Sequence, residues 1–215
     1  MSRIFLISGL GADYRLFQNL DLKEHEVVYV HWIDPDKEDT IASYAQKLIN
    51  HYGIKDGDVV IGVSLGGLLT VEIAKQIKLG KAIIISSIKS SAEAPLYFTV
   101  FRRVPLYKLI PGKIITAFGF VMKPVFGHME GEDSDLFRTM LQNSSPKFIE
   151  WAMHAVLHWQ NDTVLNNVYH IVGNKDLVFN YRKIKDPIIV AGGTHIMVYD
   201  KAEQINQLLK EILAK

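Results

Sequence analysis

Short, continuous apolar runs punctuate the first part of the chain: Ile4-Phe5-Leu6-Ile7, Val27-Val28-Tyr29-Val30, Val59 to Val63, and Ala82-Ile83-Ile84-Ile85. Between them the apolar positions switch to a spacing of three and four. Ile41, Tyr44, Ala45, Leu48 and Ile49 fall on one face of a helix, with Thr40 as its N-cap and Gly53 at its end,. The same spacing through Leu16, Phe17 and Leu20 predicts a helix over Ala12 to Leu20, and a further helix runs from Leu65 to Ile77. Strands that are apolar at every position are buried on both faces. Alternated with helices, they predict a mostly parallel sheet of an α/β protein, with helices on both faces and right-handed crossovers.

The rhythm breaks at Lys89. From there to about Ser145 no strand pattern occurs, and Pro95, Pro105, Pro111, Pro124 and Pro146 cut the region into short helical pieces,. Large apolar residues crowd it: Leu96, Tyr97, Phe98, Phe101, Phe118, Phe120, Met122 and Phe126. The rhythm returns with a helix over Phe148 to Trp159, strands over Val168 to Val172 and Pro187 to Val190, and an amphipathic helix from Lys201 to Leu213. The expected organisation is a core of residues 1–88 and 146–215, with residues 89–145 inserted as a helical cap over the C-terminal edge of the sheet. No internal repeat or low-complexity linker is visible.

Composition narrows the partners. With 215 residues and 48% apolar content, the chain is one large domain or a domain with an insertion,. Lys and Arg number 24 against 23 Asp and Glu, so the net charge of +1 gives no global field for nucleic acid or an anionic membrane,. There is no cysteine, hence no disulfide, thiolate metal site or cysteine nucleophile,. No stretch approaches the roughly 18 apolar residues that span a bilayer. The start, with Arg3 and Ile4 to Ile7, is shorter than a secretory core of about 7–15 residues,. It reads as mature sequence, with a cytoplasmic location as the expectation. Nothing in the sequence sets the oligomeric state.

Chemistry enters at Gly62-Val63-Ser64-Leu65-Gly66, between a strand and a helix. Flanking glycines let such a turn close, the serine hydroxyl stands at the end of the sheet, and the helix aims free N–H groups at the same spot. A serine needs a base to become a nucleophile, and histidine suits that role near neutral pH. Of eight histidines, His195 lies in the turn Gly192-Gly193-Thr194-His195 after the last strand. Asp176, reached through Gly173-Asn174-Lys175 after the preceding strand, is placed to orient it,. The order is Ser64, Asp176, His195. The loop Ser8-Gly9-Leu10-Gly11 after the first strand would supply a second oxyanion donor, so the backbone N–H groups of Leu10 and Leu65 are the candidate oxyanion hole,.

With these four elements in order, each at a strand end, the chain resembles an α/β-hydrolase-fold serine hydrolase of the small, capped, esterase-like branch. The resemblance implies a carboxylic ester or thioester hydrolase that forms an acyl-enzyme on Ser64, requires no cofactor or metal, and takes a small-molecule substrate. Two departures accompany it. Ser8 stands where the family usually has histidine, and the chain starts at the strand that is usually third, which leaves about six parallel strands. The aromatic insertion points to a small to medium, largely apolar substrate, with Phe98, Phe101, Phe118 and Met122 as candidate pocket residues. Lactone or carbon–carbon bond hydrolysis, or a non-catalytic binding or sensor role on the same fold, remain alternatives.

Competing motifs are weaker. His154 and His158 are four apart on one helix, but no third metal ligand is evident and two tryptophans flank them,. Gly9-Leu10-Gly11 and Asp34 mimic a dinucleotide fingerprint, but Tyr14 stands at the third glycine position,. Asp162 and Asp186 lie at the wrong end of their strands to serve His195. His25, His31, His51, His128 and His170 read as surface or core histidines, with His31 at a strand end.

Overall fold

The computed structural model describes residues 3–127 and 129–214; His128 and the Met122 side chain lie outside the described residues. Six strands form one fully parallel sheet: β1 (Arg3–Ile7), β2 (Glu26–Val30), β3 (Val59–Val63), β4 (Lys81–Ile85), β5 (Val168–Gly173) and β6 (Ile188–Val190). Their order is β2-β1-β3-β4-β5-β6. The order reverses between β1 and β3, and a crevice opens beyond the strand ends at such a reversal.

Residue alternation sorts each strand onto two cores. Phe5, Ile7, Val60 and Ile84 pack on one face against α1 (Ile41–Tyr52) and α2 (Leu65–Gln76). Ile4, Leu6, Ile61 and Ile83 pack on the other,. The helix over Ile41–Tyr52 begins and ends as expected. Thr40 and Ser43 form a reciprocal capping box, and Gly53 closes it in the left-handed region at φ 60°,.

The helix expected over Ala12 to Leu20 is instead a single 3-10 turn, Tyr14–Phe17. The Ala12 carbonyl, which a helix would use internally, accepts from Ser8 Oγ at 2.9 Å and Trp32 Nε1 at 3.1 Å. Asp13 caps the turn by accepting from the Arg15 N–H, and Leu16 N–H donates to the Asp13 carbonyl at 3.1 Å, a three-residue step,.

Between β4 and β5 the described chain is helical. It comprises α3 (Leu96–Arg103), α4 (Gly112–Phe118), α5 (Lys123–Phe126), α6 (Gly131–Gln142) and α7 (Pro146–His158), with short 3-10 turns among them. Pro95 and Pro111 sit at the N-caps of α3 and α4, and Pro146 opens α7 behind Ser145, whose hydroxyl accepts from Phe148 N–H,. After β6 follow α8 (Met197–Asp200) and α9 (Ala202–Leu213), whose Ile205, Leu209 and Ile212 complete the second core. No helix among the described residues is long and apolar enough to cross a membrane.

Candidate active site

Ser64 sits between β3 and α2 with φ 54° and ψ −115°. A non-glycine residue there is strained by about 1–3 kcal/mol. Its backbone is held on both sides. The N–H donates to the Ile85 carbonyl at 3.0 Å, and the carbonyl accepts from Gly67 N–H at 2.9 Å and from Ser87 Oγ at 2.7 Å. The neighbouring glycines are required by close approach: a Cβ on Gly62 would lie 2.1 Å from the Gly66 carbonyl oxygen, and one on Gly66 would lie 2.1 Å from the Ile7 carbonyl oxygen.

The hydroxyl so presented is 3.0 Å from His195 Nε2. His195 Nδ1 in turn is 2.9 Å from Asp176 Oδ2. Asp176 leaves β5 through a turn in which its Oδ1 accepts from Val178 N–H at 2.8 Å and Phe179 N–H at 3.0 Å. One carboxylate oxygen is thus anchored to its own loop, and the other is left for the imidazole. The turns bearing Asp176 and His195 are stitched together by Lys175 N–H donating to the Gly193 carbonyl at 2.9 Å. The carboxylate and the ring are both buried, and Phe179 and Phe126 flank the ring with centroids 5.7 and 5.6 Å away. With its proton on Nδ1, directed at Asp176, the imidazole has Nε2 free to accept from Ser64.

Leu10 and Leu65 both border the same cavity as Ser64. Leu65 is the first residue of α2, so its N–H lacks an intrahelical acceptor,. The loop carrying Leu10 lies directly on the serine, since a Cβ on Gly9 would be 3.2 Å from Ser64 Cβ. Ser8, the departure from the usual histidine, is buried and spends its hydroxyl on the Ala12 carbonyl within this loop. The loop therefore stays internally closed with a different hydrogen bond.

Ser64, His195, Leu10 and Leu65 open into a cavity of about 360 Å³ with mostly apolar walls. Of the candidate pocket residues, Phe98 lines it and is buried. Phe101 and Phe118 do not. Phe101 is 40% exposed and meets Tyr97 edge-on, and Phe118 is 69% exposed. Phe118 ends α4 at φ −123°, off the helical track, and lies outside the cavity wall to which Ile115 of the same helix contributes. The Met122 side chain lies outside the described residues. The remaining wall includes Tyr97, Phe120, Phe126, Leu141, Ile149 and Phe179. Of these, Phe179 was within reach of sequence reasoning, because it lies three residues past Asp176 in the same turn.

A deeper layer escaped the sequence altogether. Ser87, which holds the Ser64 carbonyl, offers its own carbonyl to the Nε2–H of His170 on β5 at 2.9 Å. His170 is buried, and its Nδ1 has no hydrogen-bond partner among the described residues. Burial, reinforced by the charge of Lys89, pushes its pKa down to about 4, so the ring is neutral near pH 7,. Glu93 is 4.0 Å away, but its carboxylate already accepts from the backbone N–H groups of Lys89 and Lys185. The other histidines among the described residues stand apart from the cavity. His154 meets Tyr107 Oη at 2.8 Å and His158 ring-to-ring at 4.0 Å, and His31 lies against Tyr14 beside the edge strand β2.

A parallel sheet with this strand order and a serine at the β3–α2 turn is the α/β-hydrolase fold, and solved structures place the chain in it. An esterase from Thermogutta terrifontis, solved with malate bound, superposes with a TM-score of 0.75 at 17% identity, covering 100% of this chain and 90% of its own. A carboxylesterase structure from the thaumarchaeon Nitrososphaera gargenis gives 0.71 at 19% identity, with 99% and 90% covered. The epoxide hydrolase CorEH gives 0.71 at 13% identity, with 100% and 92% covered. No protein-family model and no curated protein matches the sequence.

Proposed function

We propose that the protein is a serine hydrolase that cleaves a carboxylic ester or thioester of a small to medium, largely apolar substrate. The observation that carries this reading is the continuous hydrogen-bonded relay Ser64–His195–Asp176 at the wall of an apolar cavity. His195 Nε2 takes the Ser64 proton as Oγ attacks the acyl carbonyl, and Asp176 stabilises the imidazolium that forms. The N–H groups of Leu10 and Leu65 hold the oxyanion, a role typically worth about 10²–10³-fold per donor. His195 then protonates the leaving alkoxide or thiolate, and next activates the water that cleaves the acyl-enzyme. Residues 89–145 act as a cap whose inner side chains select the acyl or alcohol group.

The identity of the nucleophile bears on the bond. Serine attack on an acyl carbonyl gives an ester, which His195 and water can open. Serine attack on an epoxide carbon would give an ether, which the same machinery cannot hydrolyse. Ser64 therefore favours acyl substrates, although one similar structure is an epoxide hydrolase. The test is Ser64→Ala, assayed on p-nitrophenyl esters and acyl thioesters of graded chain length and by labelling with an active-site fluorophosphonate. The expected result is loss of labelling and a fall in kcat of about 10⁴-fold or more. Unchanged turnover would remove Ser64 from the mechanism. Ligand-induced stabilisation of the wild type without turnover on any ester would instead indicate a binding protein.

A further inference from the structure

The near-zero net charge conceals a local imbalance. From Leu96 to Met129 the sequence contains five cationic residues, Arg102, Arg103, Lys108, Lys113 and Lys123, and no Asp or Glu. The remainder of the chain is consequently net negative. Apolar exposure is concentrated in the same stretch: among the described residues, twelve of the eighteen large hydrophobic side chains exposed to solvent lie between Leu96 and Phe126. Several protrude almost fully, with Leu96 at 76%, Leu109 at 77% and Val121 at 79% exposure. Arg103, Lys108 and Lys113 are exposed among them. Exposed apolar surface on this scale marks an interaction site.

We propose that this helical segment docks the protein on an anionic lipid surface. Cations interleaved with protruding aliphatic and aromatic side chains suit an interface whose headgroups are negative and whose acyl region is apolar. A second copy of the chain fits less well, because a two-fold pairing would set the cationic stretch against itself. Ten of these twelve exposed side chains, all but Tyr97 and Phe126, lie outside the cavity wall, and a lipid surface adapts to projections without a matching shape. The inward side chains of the same helices line the cavity at Ser64, Tyr97 and Phe98 from α3 and Ile115 from α4 among them. Docking through the outer face therefore brings the cavity wall against the lipid. The docking surface does not depend on the role of Ser64.

The experiment is flotation of the full chain with vesicles of phosphatidylcholine alone and of phosphatidylcholine mixed with phosphatidylglycerol, at low and high salt. Binding is expected only to the anionic vesicles, and it should weaken with salt. A surface cation contributes about fivefold to such partitioning, so Arg103→Gln with Lys108→Gln and Lys113→Gln should weaken it on the order of 100-fold. Leu109→Ser with Val121→Ser should weaken it at unchanged charge. Ser64→Ala should bind as the wild type does, so loss of the catalytic reading leaves this result intact. Circular dichroism and thermal unfolding serve as the check that each variant folds. Absence of the wild type from anionic vesicles, or equal binding by both surface variants, overturns the proposal. So does concentration-dependent self-association in sedimentation velocity that Leu109→Ser with Val121→Ser abolishes, which would assign the face to a second copy.

Discussion

Around Ser64 the chain is nearly inaccessible: Val63, Leu65 and Leu68 are at most 3% exposed, and glycine Cα atoms sit against carbonyl oxygens. Between Leu96 and Phe126, across the same cavity, large apolar side chains face solvent and the longest helix has eight residues. The first region has its geometry imposed by the sheet. Three parallel strands, β1, β3 and β4, converge on the elbow, and each contributes a backbone group, a close contact or the Ser87 hydroxyl just beyond its end. The second region has fewer constraints of that kind, and its exposed side chains can vary in size without disturbing a strand. Under the proposed function, the contrast separates the part that would perform the chemistry from the part that would choose the substrate.

The largest effect that would sharpen this contrast is at Asp176. Replacing it with Asn keeps the size but removes the acceptor that sets the His195 tautomer, so kcat should fall about 10⁴-fold with the fold retained. Steady-state kinetics beside circular dichroism would check it, and a loss below tenfold would make Asp176 a turn residue only. Next comes a matched pair of glycines. Gly62→Ala drives a Cβ into the Gly66 carbonyl and should cost about 3 kcal/mol or more of stability,. In Gly119→Ala the nearest atom is 3.3 Å away on a flexible Leu141 side chain, and the change should stay within about 1 kcal/mol,. Urea unfolding of both variants would decide it. Equal losses would dissolve the distinction between the regions.

A third effect concerns pH. His170 has a folded pKa of about 4, below the ordinary value of 6.5, because burial disfavours the charged ring. The unfolded chain therefore takes up a proton between those values that the folded chain refuses. Stability is unaffected above about pH 6.5 and declines as pH falls toward 4, by about 3 kcal/mol from this residue. His170→Gln can still donate to the Ser87 carbonyl and should flatten the acid limb of the unfolding free energy measured against pH. Parallel curves for the two proteins would place the acid sensitivity elsewhere. The smallest effect is expected at Phe118, where substitution by Ala should change stability by less than about 0.5 kcal/mol and leave the chain-length preference for esters unaltered,.

The same contrast explains what could be read from the sequence. Strands buried on both faces are apolar at every position, so β1, β3 and β4 announce themselves, and the residues just past their ends inherit a place,. Ser64, Asp176 and His195 are brought together in the order and at the strand ends that the turns implied. Short helices give no such guarantee. Over Ala12 to Leu20, apolar spacing is outvoted by two hydrogen bonds to one carbonyl. In α3 and α4, Phe98 turns inward while Phe101 and Phe118 turn out, a choice set by what each helix packs on and not by residue type. Ser87 and His170 act on the elbow through main-chain carbonyls, and such contacts leave no mark in the residue pattern.

The pairing of β4 with β5 has a kinetic consequence. Ala82 pairs with Val168, so the whole helical segment is enclosed in the loop that this one strand junction must close. Ser64 belongs to the half before the loop, and Asp176 and His195 belong to the half after it. Closing a long loop is slow in entropy-limited folding. Strands β1 to β4 can assemble from nearer neighbours while the relay is still in two pieces. Regain of the proposed hydrolytic activity after dilution from denaturant is then expected to trail the return of helical circular dichroism. A simultaneous return of both signals would show that the junction forms with the first half.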